Sequence, residues 1–388
     1  MSAASIKQRL LTPGPTAVPD AVLREMALPI IHHRTAEFKA VFKRVSDALQ
    51  RLYRTSGPVL TIAGSGTTAF EAAQVSLVRP GSKVLTIAGG KFGERWQDIY
   101  DQYAPYLNIE QIRINVPWGE AVDPAAVEHA LRQNPGISVV TLVHSETSTA
   151  TASDVRAVAE LTRASDALLL VDGITSVGAM PVEMDAWGID VLVTGSQKAL
   201  MLPPGLGFVG LGERAIERLS QVKAGPCYNL DLRRWLKSWK DGDVPFTPPV
   251  SLIRGQAVAL KMIEDEGLDN VWSRVRTLAD ASRAAFEAMG LTLISKSPSD
   301  SVSGAYYPEG VDDTAFRKAL RENHGIHITG GQDGRGAKWK GRIFRISHMG
   351  YVDAQDTLAG LSAIEAELRH AGVAIEPGIA EATARALL

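Results

Sequence analysis

Cysteine is nearly absent: Cys227 is the single one in 388 residues. One thiol excludes an intramolecular disulfide framework and fits a reducing cytoplasm. Charge of one sign is also lacking. The net charge of −2 leaves no basic footprint for nucleic acid or for an anionic membrane. No apolar run is long enough to span a bilayer, and no repeat or low-complexity tract is present. The opening "MSAASIKQRLLTPGPT" has no apolar signal core and is broken by Pro13 and Pro15, so no targeting segment is expected. The ending "TARALL" is not a peroxisomal tripeptide. What remains is ordinary globular chemistry, 45% hydrophobic and 22% charged, long enough for two or three domains.

Short apolar runs punctuate the first two thirds of the chain. "GPVLTIAGSG", "SKVLTIAGG", "ISVVTLVH", "ALLLVDG" and "DVLVTGS" are each bounded by Gly, Asp or Ser. Helical stretches such as "TTAFEAAQVSLV", "DPAAVEHALRQ" and "SDVRAVAELTRAS" lie between or after them. Strands apolar on both faces, alternating with helices, predict a mainly parallel sheet covered on both sides. In "EFKAVFKRVSDALQRLYRT", Phe38, Val41, Phe42, Val45, Leu49 and Leu52 have helical spacing. After about residue 250 the texture changes. "LDNVWSRVRTLADASRAAFEAMG" predicts a long amphipathic helix stopped by Gly290. Helix, strand and helix patterns follow, as in a smaller α/β domain. The Pro- and Gly-rich "WKDGDVPFTPPVSLIRG" reads as a surface or interface segment. The expected division is an N-terminal arm over 1–14, a large domain over 15–262 and a small domain over 263–388.

Four places carry chemistry. Lys198 closes the strand "DVLVTGSQK" and is followed by Ala199, Leu200, Met201 and Leu202. Most lysines snorkel to solvent. Here the apolar neighbours would desolvate the amine, lower its pKa and free its lone pair for Schiff-base chemistry. Asp172 ends the apolar "ALLLVDG", about one strand–helix–strand unit earlier, so both groups could face one crevice. A turn aspartate is the plain alternative; a carboxylate that keeps a pyridine nitrogen protonated is the functional one. "AGSGTTAFEAA" opens a helix after a strand, and its N–H groups could cradle a phosphate. The Walker lysine is missing, and no acidic residue ends the next strand as a dinucleotide site would need. Phosphate, ring nitrogen and aldehyde are together the polar handles of pyridoxal 5′-phosphate. Arg345, inside the apolar "RIFRISHMG", needs a partner; that is either a structural ion pair or a substrate carboxylate held bidentately. The preceding "GGQDGRGAKWKG" looks like a mobile flap. Ser148 in "HSETSTAT" either contacts the cofactor or caps a helix, and Phe92 either stacks on a planar ring or joins the core. Cys227 reads as a packed residue, and "HHR" at 32–34 is assigned no role.

These pieces resemble the class V aminotransferases of the fold-type I pyridoxal-phosphate enzymes, and within them the alanine–glyoxylate and serine–glyoxylate group. The likeness runs through "LLTPGPTAVPDAVLREM", "GSGTTAFEAA", "HSETSTA", "LLLVDGITSVGAMPVEMDAWGIDVLVTGSQKALMLPPGLGFVGL" and "RIFRISHMG", nearly the whole chain. The resemblance implies an α/β fold with a large domain built on a mainly parallel seven-stranded sheet and a smaller C-terminal α/β domain. It implies that Lys198 carries the cofactor and later shuttles a proton, with Asp172 at the ring nitrogen. Ser65, Gly66 and Thr67 match the phosphate loop, although relatives often have histidine at the Thr67 position. Gln197 and Ser148 match phosphate or ring contacts, and Phe92 falls where some relatives stack a tryptophan. Arg345 matches the α-carboxylate arginine, and Gly14 the approach of the N-terminal segment to the substrate. Thr247 matches a threonine that reaches the neighbouring subunit's phosphate in a homodimer with shared active sites, whereas the family tyrosine near it is replaced by Phe246.

The implied function is pyridoxal-phosphate-dependent transamination from alanine or serine to glyoxylate or pyruvate, in the cytoplasm, with no metal, nucleic acid or membrane involved. Alternatives are 2-aminoethylphosphonate–pyruvate transamination, ureidoglycine–glyoxylate transamination, and a non-catalytic accessory subunit on the same fold. A cysteine desulfurase is disfavoured because Cys227 lies too early in the chain.

Overall fold

The short apolar runs form the strands of one sheet in the computed structural model, which describes residues 6–221 and 225–388. Residues 1–5 of the expected arm lie outside the described residues. The seven strands are β1 (Val59–Gly64), β2 (Lys83–Ala88), β3 (Glu110–Asn115), β4 (Ile137–Val143), β5 (Leu168–Asp172), β6 (Val191–Gly195) and β7 (Gly205–Leu211). Their order is β1-β7-β6-β5-β4-β2-β3. Strands β6, β5, β4, β2 and β3 pair in parallel, and β7 runs antiparallel to both β6 and β1. The C-terminal ends of β1, β2, β4, β5 and β6 therefore meet at one edge of the sheet. Every residue of β5 and β6 is buried, as strands covered by helices on both faces must be.

Two of these strands are not among the runs singled out from sequence. β3 is an edge strand with no fully buried residue, so "EQIRIN" is too polar to stand out. β7 is diluted by glycine, for a packing reason. A Cβ at Gly207 would stand 2.7 Å from Ser65 O and 3.1 Å from Ala69 Cβ. The helix Gly66–Leu77 thus lies directly on the β7 backbone.

The C-terminal unit is a three-stranded antiparallel sheet in which Ile343–Ser347 lies between Val302–Tyr306 and Thr329–Gly330. Its core gathers Phe286, Phe316, Leu320, Phe344, Ile346 and Leu361, with the rings of Phe286 and Phe344 edge-on at 5.2 Å. The helix Leu268–Ala288 serves both cores. Val271 and Val275 pack with the large sheet, and Leu278, Ala281, Ala285 and Phe286 with the small one. It ends as expected before Gly290, whose φ is +77°.

The N-terminal segment belongs to the small unit at its start. Arg9–Leu10 pairs in parallel with Ile326–His327, and Leu11 is buried in the small core. From there the chain crosses to the large sheet edge.

The stretch expected as a mobile flap is instead tied down. Arg335 N and Gly336 N donate to Glu94 Oε1 at 2.7 and 3.0 Å. Trp339 meets Trp118 edge-on at 5.4 Å. The buried carboxylate ties the loop to the helix Lys91–Leu107, in addition to bonds the loop makes within itself, such as Gly334 N to Ala337 O at 2.9 Å.

Leu170, in the middle of β5, is fully buried. Leu170→Ala is expected to lower stability by about 2–5 kcal/mol through lost burial and a residual cavity. An earlier urea midpoint checks this; an unchanged midpoint would contradict the core described.

Candidate active site

Lys198 and Asp172 stand on the same sheet edge. Asp172 is the last residue of β5, in register with Val143 of β4 and Val193 of β6. Lys198 lies in the turn just after β6. The Lys198 ammonium donates to the carbonyl of Pro13, and its backbone carbonyl accepts from Thr16 Oγ1 at 2.8 Å. Burial pulls the lysine down from its ordinary value to about 8; Asp172 opposes this, and Arg345 and Arg95 add to it. Burial pushes Asp172 up to about 8, against the Ile174 N–H. Glu146 pushes Asp172 further up, while Arg95 and Lys198 hold it down. Each group is thus within electrostatic reach of the other. The Asp172 carboxylate has one backbone donor, Ile174 N at 2.8 Å on Oδ1. No lysine or arginine pairs with it among the described residues. A buried carboxylate so placed calls for a further charged donor.

Gly14 packs against the lysine. Its φ is +118°, and a Cβ there would collide with Lys198 Cδ, Cε and Nζ. Only glycine both adopts that backbone and leaves room for the amine.

Above Asp172 the ends of β1 and β2 bring two helix starts together. Ser65 precedes the helix Gly66–Leu77, and Ser65 N donates to Thr68 Oγ1 at 3.0 Å. The N–H groups of Gly66 and Thr67 have no intrahelical partner, so this is an anion-receptive end. The second helix, Lys91–Leu107, begins at Gly90, which has no side chain to cap it. Its cap comes from elsewhere. Glu146 Oε2 accepts from Phe92 N and Gly93 N, both at 3.0 Å. Its Oε1 accepts from Ser148 N at 3.1 Å and from Ser148 Oγ at 2.5 Å. Burial pushes Glu146 up, and these donors push back. All four neighbours donate, so the ionised carboxylate is the form that satisfies them. The Ser148 hydroxyl also accepts from Lys91 N at 2.8 Å. It is thereby engaged on both sides in fixing this helix start. Phe92 is half-buried, with the Arg95 guanidinium 4.8 Å over its ring.

Arg345 reaches the same edge from the small sheet. It is 2% exposed. Its Nη1 donates to Thr147 O at 2.5 Å and its Nη2 to Gly330 O at 2.7 Å. Its Nε is buried without a partner. No carboxylate pairs with it among the described residues, so the structural ion pair considered from sequence does not form. Burial pulls its pKa down to about 10, and Glu146 opposes that. Gln197 Oε1 is likewise buried without a partner. Thr247 stands apart. It is exposed before the helix Val250–Glu266, beside Phe246, whose ring packs on Tyr228 and Trp235 at 5.8 Å.

These donors and acceptors fit one ligand chemistry. A carboxylate lacking a cation, a desolvated amine and an anion-receptive helix end match the ring nitrogen, aldehyde and phosphate of pyridoxal 5′-phosphate. A lysine-dependent enzyme using that cofactor on an open α/β sheet is the class that fold and site define together. The chain belongs to the class-V aminotransferase family, whose model matches residues 10–357. It is similar to the serine–glyoxylate aminotransferase of Methylorubrum extorquens, 33% identical over 98% of this chain and 96% of that one. A protein of Synechococcus named soluble hydrogenase, small subunit, is 38% identical over 98% of both chains. The crystal structure of pyridoxamine–pyruvate aminotransferase from Mesorhizobium loti superposes with a TM-score of 0.92 at 32% identity. That match covers 100% of this chain and 98% of that one. The protein is therefore a pyridoxal-phosphate-dependent aminotransferase.

Glu146, Arg95 and the Pro13 carbonyl were not found from sequence. Gly90 held a clue. A glycine before a long helix that begins at a strand end leaves its N–H groups to be capped by another segment. The acid in "HSETSTA" was available for it.

The two titrating groups set a pH dependence for the cofactor-free chain. Asp172 is held near 8 against an ordinary 3.8. The folded state therefore keeps a proton that the unfolded state loses, and stability falls as pH rises from about 4 to 8. Lys198, lowered to about 8 from 10.5, acts oppositely, and stability rises between those values. Asp172→Asn is expected to flatten the fall between pH 4 and 8, leaving the variant relatively more stable at pH 8. Melting temperatures of both cofactor-free proteins across that range check it; parallel curves would contradict the burial of Asp172.

Proposed function

We propose that this aminotransferase moves an amino group from alanine or serine to glyoxylate or pyruvate. The observation that carries the reading is the buried Arg345, whose Nε lacks a partner and whose charge no carboxylate neutralises among the described residues. An α-carboxylate, common to small amino acids and to 2-oxo acids, would supply both through a two-pronged contact. The relatives named for serine–glyoxylate and pyridoxamine–pyruvate exchange support small oxo-acid acceptors.

Pyridoxal phosphate supplies, when bound, an electrophilic carbon for the amine and a ring that draws electrons from the substrate α-carbon. The chain's residues do the rest. Asp172 holds the ring N–H. The Lys198 amine, its pKa drawn to about 8, takes and returns the proton at the substrate α-carbon. Pro13 O and Gly14 fix the direction of that amine. Ser65, Gly66 and Thr67 would bind its phosphate, Gln197 and Ser148 would line its pocket, and Phe92 would support its ring. Glu146 holds the start of the helix carrying Phe92 to the turn carrying Ser148, and its charge helps keep Arg345 protonated. One site serves both halves of the exchange, which implies ping-pong kinetics. The protein works in the cytoplasm as a homodimer, in which Thr247 reaches the partner's phosphate. The support for the dimer is an exposed Thr247 among apolar neighbours. No helix among the described residues is long and apolar enough to cross a membrane.

Single-turnover amine transfer tests the reading. Alanine, serine, glycine, ureidoglycine and 2-aminoethylphosphonate are offered as donors, then glyoxylate and pyruvate as acceptors. Alanine or serine is expected to donate fastest and glyoxylate to accept. Lys198→Ala is expected to lower turnover by about 10²–10⁴. A preference for ureidoglycine or the phosphonate, or full activity in Lys198→Ala, would overturn the proposal.

A further inference from the structure

We infer that Arg95 is a binding residue for the cofactor's phosphate, a cation that a second helix brings to the start of the helix Gly66–Leu77. This rests on the cofactor reading of the site and adds a residue to it.

The phosphate loop "AGSGTTAFEAA" carries no cation of its own. Its receptive groups are N–H donors and the positive end of a helix dipole, worth about half a charge. A phosphate monoester carries nearly two negative charges near neutral pH. The loop by itself leaves most of that charge unbalanced.

Arg95 lies one turn into the helix Lys91–Leu107, whose start Glu146 fixes. It is half-buried. Its Nη1 donates to Thr67 Oγ1 at 3.1 Å, and Thr67 is the second residue of the phosphate-loop helix. Its guanidinium stands 4.8 Å over the Phe92 ring. Neither contact neutralises a charge, and no carboxylate pairs with Arg95 among the described residues. A guanidinium has five N–H donors in a fixed fork, so a hydroxyl and a ring face leave donors to spare. The charge also reaches the centre of the site, because it is felt by both Asp172 and Lys198. Arg95 is therefore a partly desolvated cation, bonded to the phosphate loop and short of an anion. The phosphate is the anion that the cofactor brings to that place.

A purely structural arginine would hold Phe92 in position and nothing more. The two roles separate when the ligand is stripped of its phosphate. The full-length chain freed of cofactor is prepared as wild type, Arg95→Lys and Arg95→Met, the last keeping an apolar stem over Phe92. Binding of pyridoxal 5′-phosphate and of pyridoxal is followed by tryptophan fluorescence, with melting temperatures as a check on folding.

Arg95→Met is expected to weaken pyridoxal 5′-phosphate by roughly tenfold to hundredfold, the range of a charge-assisted hydrogen bond. Pyridoxal should change by less than about twofold on the same grounds. Arg95→Lys should fall between, because it keeps the charge and loses the fork. Inorganic phosphate should slow cofactor uptake in the wild type and much less in Arg95→Met. Equal weakening of both ligands would reduce Arg95 to a prop for Phe92 and overturn the inference, as would unchanged affinity for the phosphorylated ligand. If Arg95→Met unfolds, Arg95→Lys carries the same comparison between the two ligands. Wild type that binds neither ligand would instead overturn the cofactor reading on which the inference rests.

Discussion

The largely buried edge shared by Lys198 and Asp172 is the constraint around which the rest is arranged. Each would be costly there alone, because Asp172 is buried and Lys198 half-buried, and among the described residues neither has an ion-pair partner. Burial draws both toward the point where protons move easily, and each charge limits how far the other is shifted. A lysine that gives up its proton readily and a buried carboxylate without a cation are the two properties on which the proposed chemistry rests. Both arise from ending adjoining parallel strands on polar residues after fully apolar runs.

That edge is closed by segments distant in sequence. Gly14 lies on the lysine because Arg9–Leu10 pairs with the small unit and Leu11 is buried in it. Arg345 comes from the small sheet and bonds Thr147 O in the turn that follows β4 of the large one. A change in the relation of the two units would therefore disturb the Lys198 amine and the Arg345 guanidinium at once. A cluster of hydroxyls, with Ser145 Oγ 2.7 Å from Ser299 Oγ and 2.8 Å from Ser301 Oγ, joins the same two units nearby. Such polar contacts have directional preferences that an apolar seam lacks.

Glu146 shows how one charge is used repeatedly. It caps the helix carrying Phe92, engages the Ser148 hydroxyl and favours the charged form of Arg345. Four donors around one carboxylate leave it little freedom to move. Gly90 makes room for it, since a Cβ there would run into Glu146 and Ser148. The missing side chain at the helix cap and the buried acid are two halves of one arrangement.

The central strands, the parallel sheet and the residues ending those strands were legible in the sequence, because they follow from local pattern. Short runs apolar on both faces, alternating with helical patterns, point to interior strands, and a polar residue closing such a strand lies at a sheet edge. Lys198, Asp172 and the loop at Ser65–Thr67 were found that way. The edge strand β3 and the glycine-rich β7 were not, since exposure and dense packing each erase the pattern. Glu146, Arg95 and the Pro13 carbonyl were invisible for a different reason. Their meaning lies in which groups they meet across the fold, and nothing in "GGKFGERW" or "HSETSTA" states that a helix will take its cap from another strand. The tertiary structure also decided that Arg345 has no carboxylate partner among the described residues and that the loop before it is anchored through Glu94. Local sequence set which residues reach the edge; only long-range packing set what each finds there, because charge balance and hydrogen-bond satisfaction belong to neighbours in space.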